Sequence, residues 1–163
     1  MFITLPSDVD DPRWNATNTR AQYKTTLAKP LQIKVPVRAC VYSIMYPKDW
    51  AYEGDSPPPA DSRFFLASNL FRHRDFLIGQ LDRRISHVAP PQASGEDAIF
   101  AFLPEPAQAN AQSAECNKPF LEYHALLPGP DIRDISVSIK DSLGRPIVFK
   151  KGTVVVTIHI KPQ

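Results

Sequence analysis

Along this chain, apolar and polar residues alternate in short runs with a period of two, which places successive side chains on opposite faces of a strand. The pattern is clearest near the C-terminus. Ile135, Val137 and Ile139 alternate with Ser136, Ser138 and Lys140. After a turn at Asp141-Ser142-Leu143-Gly144, residues 147–149 resume, and Lys151-Gly152 turns again. Residues 154–160 then present Val154, Val156, Ile158 and Ile160 on one face and Val155, Thr157 and His159 on the other. Strands divided by such turn residues predict a β-meander here.

Earlier segments repeat the pattern less strictly. Residues 2–5 are apolar and β-prone, and Pro6 stops them. Ala21, Tyr23, Thr25 and Leu27 share one face of a second strand. Beyond Lys29-Pro30 the same period continues through Leu31, Ile33, Val35 and Val37, with Pro36 demoting that run to an edge or a bulge. Residues 40–45, 64–68, 99–103 and 120–127 are further strand candidates, and residues 104–116 read as a loop. Between 70 and 85 the apolar positions also fit a helical face. Gly79 and the following Pro90-Pro91 favour strand plus loop. The sum is about eight or nine short strands, an all-β, antiparallel β-sandwich or jelly roll filling residues 1–163 as a single domain. A proline-rich surface loop is expected at about 53–61, around Pro57-Pro58-Pro59.

Composition strengthens this picture. Seventeen prolines against six glycines in 163 residues fit many short elements joined by stiff turns, because proline is excluded from helix interiors and central strands. The formal net charge of +2 is too small to imply a nucleic-acid binder by itself. Cys40 and Cys116 stand alone, outside any metal-ligand or disulfide spacing, which suggests synthesis in a reducing compartment. The N-terminus lacks the basic lead and long apolar run of a signal peptide, and no stretch reaches the length of a membrane span.

Catalytic chemistry is not indicated. His73, His87, His124 and His159 fall in different elements without ligand spacing, and no nucleophile elbow or phosphate-binding glycine loop occurs. The expectation is a non-enzymatic protein without cofactor or metal. Positive charge gathers at Arg72-His73-Arg74 and at Arg83-Arg84, but Asp75 and Asp82 lie in the same run and can pair with it. Nucleic-acid contact is therefore the weaker reading of this cluster. A subunit-facing surface is the stronger one, since the arginine fork makes directed hydrogen bonds.

Three blocks resemble the minor capsid, or penton, protein of the Polinton and adintovirus-like group. The first joins Phe2-Ile3-Thr4-Leu5-Pro6-Ser7, Tyr23-Lys24-Thr25-Thr26-Leu27 and Tyr46-Pro47-Lys48-Asp49-Trp50; the second spans residues 64–85; the third runs from Ile135 to Asp141 and on through Gly144, Phe149, Gly152 and residues 154–160. This resemblance implies a single jelly roll forming homopentamers at icosahedral vertices, beside a major capsid protein with a double jelly roll. It places the protein in the virion. Candidate subunit-interface residues are Trp50, Tyr52, Pro57, Arg72, Arg74, Arg83 and Arg84. The alternatives are another virion cement or attachment protein, or a cellular β-sandwich module that binds peptides along an edge strand.

Overall fold

The chain is nearly all β, in antiparallel sheets, in a computed structural model that describes residues 1–11, 14–54, 63–73, 98–109, 112–117 and 121–163. Eleven strands occur among these residues: β1 (Phe2–Pro6), β2 (Gln22–Leu31), β3 (Val37–Tyr46), β4 (Trp50–Ala51), β5 (Phe64–Ser68), β6 (Phe100–Phe102), β7 (Ala114–Asn117), β8 (His124–Leu126), β9 (Ile132–Lys140), β10 (Val148–Phe149) and β11 (Val155–Pro162). A 3-10 helix, Asn69–His73, follows β5.

The first sheet has the order β1-β11-β3-β7, with β8 also paired to β3; the second has the order β2-β9-β5-β6. The pairs nest. β1 joins β11, β2 joins β9, β3 joins β7 and β8, and β5 joins β6, all antiparallel. β4 and β10 form a separate two-stranded antiparallel ribbon.

Alternation decides which side of each strand is buried. Val156, Ile158 and Ile160 of β11 face inward, as do Ile135, Val137 and Ile139 of β9, and they join Leu5, Tyr23, Ile44, Phe64 and Phe100 in one apolar cluster. Two contacts tie the sheets together across this core. The Tyr23 hydroxyl of β2 donates a 2.7 Å hydrogen bond to the Leu5 carbonyl of β1. Tyr46 of β3 lies 6.3 Å from Phe64 and 5.3 Å from Phe102, ring centre to ring centre.

β3 keeps its apolar residues inside by means of a bulge. Val41 stands opposite Ile158, whereas Ser43 stands opposite Thr157, so Tyr42 is an extra residue in the ladder. Without that extra residue, Ile44 would point to solvent and Ser43 into the core. A bulge resets the phase of a strand in this way.

The expected pattern meets the structure closely for β1, β3, β5, β9 and β11. Three segments and the number of strands differ. Residues 31–37 form no strand of their own; β2 runs through Pro30 to Leu31, and Pro36 lies in the connection to β3. Pro30 is tolerated because β2 is a sheet edge and its pairing slips between Thr26 and Leu31. Residues 70–73, read with the rest of 70–85 as strand plus loop, lie in the 3-10 helix Asn69–His73, while 74–85 lies outside the described residues. Residues 114–116, read as loop, belong to β7 on the edge of the first sheet. The eleven strands exceed the expected eight or nine because the β4–β10 ribbon and the division between β7 and β8 are too short to read from periodicity.

Candidate functional site

Of the interface residues suggested by sequence, Trp50 and Tyr52 are the two whose side chains are described. Both are half-buried and packed against the core. Trp50 lies 4.9 Å from Phe64 and 5.1 Å from Tyr52, and its indole N–H donates to the Glu105 carbonyl at 3.1 Å. Trp50 belongs to β4, and both rings pack on Phe64, so only part of each is open to a neighbour. Arg72 lies on the 3-10 helix. Pro57, Arg74, Arg83 and Arg84 lie outside the described residues, as does the 53–61 loop beyond Gly54.

Two clefts flank Trp14, whose ring stacks on Tyr23 at 6.4 Å. One, of about 250 Å³, opens between β1 and β2 beside Asp8, Asp11 and Lys24. The other, of about 410 Å³, lies against β10 beside Arg20, Glu53 and Ile147. Among the described residues no group of three or more His, Cys, Asp or Glu side chains could hold a metal ion. No helix among them is long and apolar enough to cross a membrane.

A cluster of aromatic and ionisable side chains lies on the outer face of the first sheet. Phe2 of β1 stands opposite His159 of β11, and their rings stack at 4.5 Å with an interplanar angle of 21°. The bulged Tyr42 of β3 meets Phe2 edge-on at 5.2 Å. Tyr123, just before β8, shares a 2.6 Å hydrogen bond with Nδ1 of His159, and the Lys161 ammonium sits 3.8 Å from the centre of the Tyr123 ring. Cys40 lies opposite His159 in the ladder, beneath this cluster. Burial pushes the Cys40 thiol up, against hydrogen bonds from Tyr123 and the His159 backbone and the nearby charge of Lys161. Desolvation likewise raises the Tyr123 hydroxyl, and its hydrogen bond with Cys40 adds to the rise. A buried thiol held protonated is a poor nucleophile.

Next to the rings lies a row of cations. Arg38 of β3 is directly opposite Lys161 of β11, and the Arg38 side chain is exposed. The ion pairs formed among the described residues, Lys48–Glu105, Arg145–Asp141 and Lys150–Asp49, include neither. Cys116, by contrast, stands opposite the inward-facing Ile44, so the two cysteines lie on opposite faces of one sheet and both remain thiols.

Sequence inspection missed this cluster. His159 and its outer-face neighbours were legible as one side of β11, but Phe2, Tyr42 and Tyr123 come from three distant segments. Tyr42 reaches the outer face only through the bulge. No protein-family model matches the chain, and no curated protein or solved structure matches it.

Proposed function

We propose that this chain is a jelly-roll capsid subunit without catalytic activity, a penton that closes into homopentamers at icosahedral vertices beside a double jelly-roll major capsid protein. The observation that carries this is the nesting of the strand pairs, first with last and inward to β5 with β6. A ribbon paired in that manner and wrapped on itself is a jelly roll, an architecture common in capsid proteins. The resemblance in the Phe2–Ser7, Tyr46–Trp50 and C-terminal blocks points the same way.

A five-fold ring needs one heterologous contact repeated until it closes. Short edges favour such a contact over open-ended strand addition. β6 and β7 hold only three and four residues, and β2 carries Pro30. The open parts of Trp50 and Tyr52, with the loop that follows them and the Arg72 to Arg84 segment, supply the proposed subunit contact. Two thiols on opposite sheet faces fit assembly inside a reducing host compartment before packaging into the virion.

Light scattering coupled to size exclusion tests the ring directly. The expected species has five times the 18.3 kDa chain mass. A strict monomer at every protein and salt concentration would overturn the self-assembling vertex role and favour a cement, attachment or peptide-binding protein.

A further inference from the structure

We infer that the outer face of the β1-β11-β3 sheet binds single-stranded nucleic acid, with bases stacking on Phe2 and Tyr42 and phosphates meeting Arg38 and Lys161. This inference does not depend on the ring.

Exposure and order coincide here. Phe2 is 57% exposed and Tyr42 43% exposed, although both rings are fixed by contacts on their other sides. Rings already held in place lose little side-chain freedom when a flat partner covers them. Phe2 lies on His159 and is more than half exposed, so a base covering its exposed surface would extend an existing stack. Stacking of this kind accepts any base, because every base has a π-face.

The cations make the partner anionic. Like charges directly opposite each other in an antiparallel ladder are destabilising, yet Arg38 and Lys161 occupy such a pair. An anion between them would relieve that repulsion. Lys161 is steadied over Tyr123 at one side of the row. Phe2 and Lys161 are diagonal neighbours on adjacent strands, since Phe2 is opposite His159. Adjacent strands are about 4.8 Å apart and alternate residues about 6.7 Å apart along a strand, so ring and charge fall within the reach of one nucleotide.

The second sheet is built differently. Its outer row of Lys24, Thr26, Ser136 and Ser138 is polar, and Asp134 lies among them, accepting a 2.7 Å hydrogen bond from Thr26. Exposed rings beside a pair of facing cations distinguish the first sheet. An acidic protein surface would satisfy the charges but leave the exposed ring faces without a flat partner. A duplex would satisfy the charges too, but its bases are already stacked on each other.

The test is fluorescence anisotropy with a labelled oligothymidylate of about 20 nucleotides at about 50 and about 200 mM salt, the span over which phosphate contacts weaken measurably. The wild-type chain should bind at the lower salt and weaken at the higher. Phe2→Ala should lose on the order of tenfold in affinity, while Phe2→Trp, which keeps a stacking face, should retain it. The double variant Arg38→Gln/Lys161→Gln should reduce the salt slope by about 1.4, from two phosphate contacts at about 0.7 each. Circular dichroism should show all of these variants folded at the assay temperature, so that a change in binding is not a loss of fold. The inference fails if the oligonucleotide does not bind at the lower salt, or if Phe2→Ala binds like the wild type. It also fails if polyglutamate displaces the oligonucleotide as readily as unlabelled oligothymidylate, which would make the face a site for an acidic protein.

Discussion

Replacing Tyr23 with Phe should weaken the protein at neutral pH and strengthen it, relative to the wild type, at high pH. The Tyr23 side chain is 3% exposed and its hydroxyl donates to the Leu5 carbonyl at 2.7 Å, joining the edge strands of the two sheets. The substitution removes the donor as well as the bond, so the one polar group left short of a partner is the Leu5 carbonyl on β1, itself already in the ladder opposite Val156. The cost should be about 1 kcal/mol, the net worth of one such bond. For a chain of this size that is a fall of about 2–4 °C in melting temperature.

The high-pH behaviour follows from burial. Desolvation raises the Tyr23 phenol well above its ordinary value, whereas in the unfolded chain it titrates near about 10. Below about pH 10 the phenol is protonated in both states and has no effect on the slope of stability with pH. Above it the unfolded state loses the proton and the folded state keeps it, so stability falls by about 1.4 kcal/mol per pH unit for this group. A phenylalanine at this position has no proton to lose. The urea-unfolding free energies of the two proteins should therefore converge near about pH 11 and cross beyond it. Tyr46, whose hydroxyl is also raised by burial and accepts from the Glu105 N–H, contributes to the same alkaline loss in both proteins and cancels from the comparison. Curves that stay parallel from neutral pH to above the crossing would refute the assignment of Tyr23 as a buried, protonated link between the sheets.

Gly152→Ala should lower the melting temperature, because Gly152 has φ of 81° and an added Cβ would lie 2.9 Å from Pro47 Cγ. A loss of about 1–3 kcal/mol is expected; Gly129→Ala, where the nearest atom is the Leu127 carbonyl at 4.0 Å, should be within about 0.5 kcal/mol of wild type in the same scan. Asp141→Ala should cost about 2–4 kcal/mol in chemical denaturation. The fully buried carboxylate accepts from the Leu143 and Arg145 N–H groups at 2.9 and 3.0 Å and from Arg145 Nε at 2.9 Å, and partial exposure of Arg145 tempers the loss of the ion pair.

Most of the sandwich was readable because its inner faces obey a strict period of two. β9 and β11 alternate without interruption and were placed to within a few residues at their ends. Reading failed where long-range pairing, and not local pattern, decides the outcome. Ala114 to Asn117 alternates over only four residues, Ala114 and Cys116 against Glu115 and Asn117, too short a run to read as a strand, and it becomes one because β3 offers a pairing edge at residues 43–46. Pro30 looks like a strand end, yet the slipped pairing of an edge strand absorbs it. Leu70 and Phe71 are both buried on a 3-10 turn, where neighbouring side chains need not take opposite sides. The outer aromatic face was hidden for a similar reason. Its members are residues 2, 42, 123 and 159, and they meet through a ladder whose register depends on one bulged residue.

The position of β11 has a consequence for synthesis. It is the last strand in the chain and lies between β1 and β3 in its sheet, so a ribosome must deliver the C-terminal strand before the first strand gains its partner. Until then β1 has nothing to pair with, and β3 presents Ala39, Val41 and Ile44 beside an open backbone edge. Such a topology is rich in contacts between distant residues, which slows folding and lengthens the time during which unpaired edges are available to other nascent chains.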